Sequence, residues 1–141
     1  MIKPKVLIAD DIAEIRLLLR HILQPNFDVV IAKNGEEAWE LFNSEKPDIV
    51  LTDLIMPRIK GDELCRRIKL QSFAPDTPVV LITAATRDKE IADGFWKKAV
   101  GSDGFISKPF EPKQVLDLVK SIMDGRRNAK KRSSLLAGGT K

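Results

Sequence analysis

The chain of 141 residues carries 24 basic and 20 acidic side chains, a size and balance typical of one globular domain. Hydrophobic residues make up 43% of the chain and charged residues 31%, which argues against a disordered protein, and no apolar run is long enough for a membrane span. The N-terminus lacks a signal-peptide pattern, and Cys65, the single cysteine, cannot form an internal disulfide. We therefore expect a cytoplasmic protein.

The net charge of +4 comes from the C-terminal segment. Residues 125–141 contain six basic residues and no acidic one, which leaves 18 basic against 20 acidic residues, a net charge of −2, in residues 1–124. A nearly neutral body differs from the broad basic face of a nucleic-acid-binding domain. We expect one domain over residues 1–124 and, over residues 125–141, a flexible basic tail or the start of a linker. Such a tail would bind nucleic acids or anionic membranes only weakly.

Five short runs rich in β-branched residues alternate with helix-period patterns along the chain. The runs predict strands over residues 5–9, 28–32, 49–52, 79–82 and 104–107. The first, third and fourth runs are apolar without alternation, which is typical of central parallel strands covered by helices on both faces. The sequence therefore predicts an α/β fold, a doubly wound five-stranded parallel (βα)5 sheet of the flavodoxin-like kind. The expected strand order is 2-1-3-4-5, with the second and fifth strands at the edges.

Apolar residues at helical spacing fill the segments between the strands. The first helix carries the stripe Ile15, Leu18, Leu19 and Ile22, and the last carries Val115, Leu118, Val119 and Ile122. Further helices are expected between Asn34 and Pro47, around Leu64 and Ile68, and over residues 87–100. The periodicity stops after Met123, where the predicted tail begins.

Polar side chains follow four of the five predicted strands. These are Asp10 and Asp11 after the first strand, Asp53 after the third, Thr83 after the fourth and Lys108 after the fifth. Ligands of open parallel sheets bind at the carboxyl ends of the strands, near the point where strand order reverses. The first and third strands are neighbours in the predicted order, so three carboxylates should share one small site. Like charges this close need a cation, and an all-oxygen cluster suits Mg²⁺.

Each of these residues alone is weak evidence, because a lone Asp after a strand is usually a helix cap or turn residue. Thr83 could likewise cap the next helix, and Lys108 could simply be solvated. Together they are chemically complementary: Asp53 would be a nucleophile, Lys108 and the metal would neutralise phosphoryl oxygens, and Thr83 would donate a hydrogen bond. The pattern favours phosphoryl transfer to Asp53.

Five segments that carry these residues resemble the receiver domains of two-component response regulators. In chain order they read VLIADD, AKNGEEA, PDIVLTDLIMP with Gly61 following, VLITA and GSDGFISKPF. The resemblance runs from about Lys5 to Met123, and the five segments in this order are very specific. It implies a phosphorylation-dependent signalling switch, similar to the single-domain chemotaxis response regulator. Such a switch catalyses its own phosphoryl transfer but is not a turnover enzyme.

The resemblance assigns roles to the residues around the expected metal ion. Asp53 is the implied phosphoacceptor and a metal ligand. Asp11 would bind Mg²⁺ directly, Asp10 largely through water, and Ile55 through its backbone carbonyl.

The resemblance also implies a switch and its partners. The Lys108–Pro109 bond is expected to be cis, which would aim the lysine at the phosphate. Thr83 resembles the switch hydroxyl and Phe105 the switch aromatic; the alternative is that Phe105 is an ordinary core residue of an edge strand. A sensor histidine kinase or phosphotransfer protein would supply the phosphoryl group. An unidentified downstream protein would bind the predicted fourth helix, the fifth strand and the last helix. The chain shows no DNA-binding domain and no membrane segment, and it could form a homodimer.

Other functions compete with this interpretation. Haloacid-dehalogenase-type phosphatases also combine an Asp nucleophile with Mg²⁺, Thr and Lys, but they place a second acid two residues after the nucleophile on the first strand. The segment Asp10-Asp11-Ile12-Ala13 does not fit that pattern. A phosphate-independent interaction module is disfavoured by the complete set of reactive side chains.

His21 lies off the apolar stripe of the first helix, so we expect a solvated histidine rather than a phosphorylated one. Trp96 could belong to a partner-binding face, but a partly buried tryptophan is commoner.

Two apolar positions suggest a long-lived phosphorylated state. In the family, the side chains two residues after the phosphoacceptor and two after the switch hydroxyl flank the path of the hydrolytic water. Here they are Ile55 and Ala85, and neither can position a water molecule through a hydrogen bond.

Overall fold

Five parallel strands form a single sheet in the order β2-β1-β3-β4-β5 in the computed structural model, which describes residues 3–84 and 101–139. The strands are β1 (Lys5–Ala9), β2 (Asp28–Ala32), β3 (Ile49–Asp53), β4 (Val79–Ala84) and β5 (Gly104–Lys108). The described helices are α1 (Ala13–Leu23), α2 (Gly35–Glu45), α3 (Gly61–Gln71) and α4 (Pro112–Gly139). The predicted fold class and strand order are confirmed.

The central strands are the most buried, as the apolar runs predict. All five residues of β3 are buried, and so are the last four of β1. The edge strands β2 and β5 are mostly half-buried. This gradient is expected when helices cover both faces of a parallel sheet but leave its edges open.

Each face of the sheet has its own apolar cluster, because successive strand residues point to opposite faces. Leu7 and Ala9 of β1 pack on one face with apolar residues of α2 and α3. Val6 and Ile8 pack on the other face with residues of α1 and α4. Because both faces of the central strands are covered, polar side chains can gather only at the strand ends.

The buried side of α1 differs slightly from the predicted stripe. Leu19 and Leu23 are fully buried, and Ile15 and Ile22 are half-buried. Leu18 is 40% exposed, so its prediction as a core residue was wrong. It precedes Leu19 by about 100° around the helix, which turns it away from the sheet.

Helix α4 is longer than the sequence pattern predicted. It continues to Gly139 through the segment expected to be a flexible tail. The Arg126 guanidinium donates to the Asp48 carbonyl and lies 3.7 Å from Asp76, which attaches the helix to the body just beyond the last apolar turn. Regular structure therefore does not end after Met123, because lysine, arginine, alanine and leucine favour a helix without an apolar stripe. The boundary between residues 124 and 125 stays a prediction.

Some predicted features lie outside the described residues. They are the helix over residues 87–100 with Trp96, and Ala85. Among the helices that the structure describes, none has both the length and the apolar character of a membrane span. Cys65 is buried in α3, and burial raises the pKa of its thiol to about 12.

Candidate functional site

Three carboxylates converge at the carboxyl ends of β1 and β3, as the sequence predicts. Asp10 and Asp11 follow β1 and Asp53 ends β3, and the two strands are neighbours, with Ala9 opposite Thr52. One carboxylate oxygen of each aspartate lies within 4.8 Å of the other two. Asp10 is fully buried, Asp53 is 7% exposed and Asp11 is exposed. Solvent therefore reaches the cluster mainly at Asp11.

Lys108 brings a positive charge to this cluster from the end of β5. Its Nζ donates a hydrogen bond to Asp53 Oδ2 at 3.1 Å and lies 3.0 Å from Asp10 Oδ2. Because β4 separates β5 from β3, the long lysine side chain has to reach past one strand. The Lys108–Pro109 peptide bond is cis, in agreement with the prediction. One ammonium group thus faces two of the three carboxylates, and negative charge remains in excess.

Hydrogen bonds around Asp10 hold the turn that follows β1. Asp10 Oδ1 accepts from the Ile12 amide at 2.9 Å, and the Asp10 carbonyl accepts from Arg16 Nη1 at 2.7 Å. The Asp10 amide donates to the Ala32 carbonyl at 3.2 Å. Asp10 Oδ2 is buried and contacts Lys108 as an ion pair, but it accepts no hydrogen bond of good geometry from the described residues. Asp10 Oδ2 can therefore still bind a cation.

The surroundings perturb the ionisation of Asp53 and Lys108. Burial, and then the charge of Asp10, raises the pKa of Asp53, while Lys108 and the Ile55 amide act in the opposite direction. Burial alone would lower the pKa of Lys108, but its close contacts with the Asp10 and Asp53 carboxylates, and their negative charges, outweigh burial and raise that pKa. Lys108 is thus protonated at neutral pH, and ionised Asp53 carries an electrostatic cost that a second cation would relieve.

The donor set fits a hard divalent cation. All three candidate ligands, Asp10, Asp11 and Asp53, offer carboxylate oxygens. With Lys108 as the nearby cation, the four ionised groups would leave two negative charges uncompensated. Mg²⁺ prefers such oxygen ligands and keeps several waters, which the exposed side at Asp11 can provide.

The segment after Asp53 runs close against the strand end. The Ile55 amide acts to lower the pKa of the Asp53 carboxylate, while the Ile55 side chain is 71% exposed. The Gly61 amide donates to the Leu54 carbonyl at 2.9 Å, and a Cβ at Gly61 would lie 2.2 Å from the Asp53 carbonyl oxygen. Only glycine fits this approach. The role of the Ile55 carbonyl as a metal ligand stays a prediction.

The two candidate switch residues lie on the neighbouring strands. Thr83 is buried in β4, one residue beyond Ile82, which pairs with Asp53. Within the described contacts, Thr83 makes no hydrogen bond to Asp53. Phe105 of β5 pairs with Leu81 and packs, half-buried, against the apolar cluster on the side of α2 and α3. The switch roles of Thr83 and Phe105 stay predictions.

Sequence reasoning missed Arg16, which contacts the backbone of Asp10. A signal was present: Arg16 lies in the first turn of α1, where the helix dipole favours acidic side chains and disfavours basic ones. A basic residue at such a place, six positions after Asp10, needs a compensating contact.

His21 is exposed on the same helix, as predicted for a solvated histidine.

A family model matches most of the chain. The model is described as the response regulator receiver domain, and it matches residues 6–120. The matched range contains Asp10, Asp11, Asp53 and Lys108.

Individual relatives agree with this match. The chain is 36% identical over 138 residues to a probable transcriptional regulator, ycf27, of Guillardia theta, covering 97% of this chain and 52% of that protein. It is 34% identical to the alkaline phosphatase synthesis transcriptional regulatory protein PhoP of Bacillus subtilis, covering 84% of this chain and 48% of that protein. The chain thus spans about half the length of these curated relatives.

A solved structure shares the fold. The chemotaxis response regulator CheY4 of Vibrio cholerae superposes with a TM-score of 0.76 at 30% identity, covering 85% of this chain and 98% of that chain. Sheet order, acidic strand ends and family match agree, and the chain belongs to the response regulator receiver domain family.

Proposed function

We propose that this receiver domain accepts a phosphoryl group on Asp53 in a Mg²⁺-dependent reaction and thereby switches a partner-binding face. The observation that carries the proposal is the position of Lys108 Nζ, 3.1 Å from Asp53 Oδ2 and 3.0 Å from Asp10 Oδ2, with Asp11 beside them. The cluster combines a nucleophile, a fixed positive charge and ligands for a cation.

Asp53 is the nucleophile in this proposal. One of its carboxylate oxygens attacks phosphorus in line with the bond to the donor. The new O–P bond forms, the bond between phosphorus and the donor breaks, and the electron pair of that bond leaves with the donor. The hydrogen bond from Lys108 fixes the direction of the carboxylate before the attack.

Positive charge has to balance the transferred group. Lys108 is protonated and close enough to move from the carboxylates to a phosphoryl oxygen. A bound Mg²⁺, held by Asp10, Asp11, Asp53 and the Ile55 carbonyl, supplies further neutralisation of the phosphoryl charge.

The reacting side chains belong to the domain itself, so a small phosphodonor should suffice. In a cell, we expect the donor to be a sensor histidine kinase or a phosphotransfer protein. The product, an aspartyl phosphate, stays on the chain, so the domain acts as a switch that catalyses its own modification rather than as a turnover enzyme.

The signal would pass through Thr83 and Phe105 to the surface around β5 and the first turns of α4. A phosphoryl oxygen draws the Thr83 hydroxyl inward, and the Phe105 ring follows into the space that opens. The relatives named above serve transcription and chemotaxis, so the family match does not identify the downstream protein. A homodimer through the same face is a second option.

Incubation with acetyl phosphate tests the proposal directly. We expect one phosphoryl group per chain by mass spectrometry, located at Asp53, with Mg²⁺ present and none with EDTA. Asp53→Asn should abolish the adduct. Asp62→Asn, at the start of α3, removes a carboxylate outside the cluster and should leave the adduct unchanged.

Two other results would replace the proposal. Continuous turnover of acetyl phosphate without a stable adduct would indicate a phosphatase. No reaction with Mg²⁺ present would indicate an interaction module that does not depend on phosphate. Modification at another residue, with Asp53 intact, would contradict the assignment of the phosphoacceptor.

A further inference from the structure

Arg16 is tied to the backbone of the acidic turn rather than to a carboxylate. Its Nη1 donates to the carbonyl of Asp10 at 2.7 Å, and its side chain is half-buried. The Asp10 carbonyl belongs to the peptide bond that leads to Asp11. A hydrogen bond to that carbonyl therefore fixes the orientation of the Asp10–Asp11 peptide plane and, with it, the direction of the Asp11 side chain.

The helix that follows this turn begins without a capping side chain. Ile12 is the N-cap residue of α1, and no side chain caps the helix with a hydrogen bond there. The Ile12 amide instead donates to Asp10 Oδ1. The Asp10 carboxylate thus anchors the N-cap residue, and the Arg16 guanidinium holds the carbonyl of the same Asp10.

We infer that Arg16 is a positioning residue for the cation site, because it holds the turn in which the Asp10 and Asp11 carboxylates converge with Asp53. The inference rests on the proposed function, since it assumes that these carboxylates bind a divalent ion. Arg16 itself touches neither the ion nor the phosphoryl group in this scheme.

The direction of the change in Mg²⁺ affinity distinguishes a positioning role of Arg16 from a purely electrostatic one. A guanidinium beside an acidic cluster repels a cation, so removal of its charge alone would strengthen Mg²⁺ binding. Loss of a residue that orients metal ligands has the opposite effect and typically weakens binding about ten-fold or more. The two explanations therefore predict opposite changes for the same substitution.

The test compares Arg16→Met with Arg20→Met by Mg²⁺ titration calorimetry at fixed ionic strength. Arg20 lies one turn further along α1, is exposed, and its side chain makes no hydrogen bond or ion pair among the described residues. We expect Arg16→Met to weaken Mg²⁺ binding roughly ten-fold. Arg20→Met should change it less than about two-fold, since a charge at the surface is screened. Arg16→Lys, which keeps the charge and one donor, should recover much of the loss.

Hydrogen exchange in metal-free protein gives a readout that does not depend on the ion. The Ile12 amide should exchange faster in Arg16→Met than in the wild type, while amides of β3 stay unchanged. Selective loosening of the turn would not follow from general destabilisation, which would also raise exchange in the central strand. If Arg16→Met does not fold, the same two measurements on Arg16→Lys decide, with smaller changes in the same directions expected.

Each outcome has a distinct meaning. Mg²⁺ binding by Arg16→Met that is as tight as, or tighter than, binding by Arg20→Met would overturn the positioning role. Unchanged Ile12 exchange would overturn it as well. If the wild type binds no Mg²⁺ but the Ile12 amide responds, the proposed function fails while the contact of Arg16 with the turn stands.

Discussion

The carboxylate of Asp53 is held where its own charge is unfavourable. Burial and the nearby charge of Asp10 raise its pKa, and Lys108 offsets this only in part. Ionisable groups with shifted pKa values are common at functional sites, because catalysis needs a reactive group rather than a fully stabilised one. The stability of the metal-free domain should reflect this cost.

We predict that Asp53→Asn stabilises the metal-free protein at pH 7. The pKa of Asp53 is higher in the folded than in the unfolded chain, so the folded state binds more protons between the ordinary pKa of 3.8 and the folded pKa. Stability from this group therefore falls as pH rises through that window, and the penalty is fully present above it. The neutral side chain of Asp53→Asn removes this electrostatic penalty. Urea unfolding in EDTA should show a higher midpoint for Asp53→Asn at pH 7 and a smaller difference at low pH.

Asp62→Asn is the matched control for this measurement, because it removes one carboxylate at the start of α3. Its midpoint should not rise at pH 7, because the helix dipole favours a carboxylate in the first turn of α3. A lower midpoint for Asp53→Asn than for the wild type at pH 7 would mean that the attraction of Lys108 outweighs burial at this site.

At the scale of elements, the junction between β3 and α3 leaves no room for a side chain. We predict that Gly61→Ala destabilises the domain by roughly 1–3 kcal/mol, the usual cost of overpacking. The added methyl would lie 2.2 Å from the Asp53 carbonyl oxygen and 2.9 Å from Leu54 Cα, both backbone atoms that cannot yield easily. Chemical denaturation measures the loss, and modification by acetyl phosphate should also slow because Asp53 shifts.

Gly125→Ala provides the contrasting substitution in the same protein. Gly125 lies within α4, and an added Cβ there meets nothing within 4 Å. Alanine should therefore stabilise the helix by about 0.5–1 kcal/mol. Equal changes in the free energy of unfolding for the two substitutions would show that the close approach at Gly61 does not affect the stability of the domain.

The helices show where sequence patterns predict structure well and where they fail. The i, i+3, i+4, i+7 stripe identified α1, but its width of four residues exceeded the buried face, so Leu18 was placed in the core wrongly. The end of α4 was missed for a related reason, since periodicity measures burial rather than helix formation. A helix that leaves the sheet needs no apolar stripe, only residues of good intrinsic propensity and an attachment such as Arg126.

At the scale of the whole molecule, a cation at the acidic cluster should couple to global stability. We predict that Mg²⁺ raises the free energy of unfolding by about 2.7 kcal/mol at roughly 100 times its dissociation constant. Thermal unfolding in Mg²⁺ and in EDTA, at equal ionic strength, measures the increment. Asp11→Ala should lose most of it, because Asp11 is exposed and its removal takes away a ligand without opening the core.

The arrangement of Asp10, Asp11, Asp53 and Lys108 could be predicted because strand ends in a parallel sheet meet at one edge. Distances within that edge could not be predicted in the same way. The contact of Arg16 with the Asp10 carbonyl depends on helix phase and side-chain reach, and the close approach of Gly61 depends on the path of a connecting segment. Both are settled only by packing in three dimensions.

The single continuous helix from Pro112 to Gly139 can act as a mechanical lever. Its first turns rest on the sheet through Val115 and Val119, and Arg126 fastens it to the Asp48 carbonyl. Beyond Arg126 it runs for roughly 20 Å at about 1.5 Å per residue, so a tilt of about 10° at that fastening would carry its far end about 3 Å sideways. A repacking beneath β5 would thus become a displacement of similar size at a point remote from the reacting carboxylate.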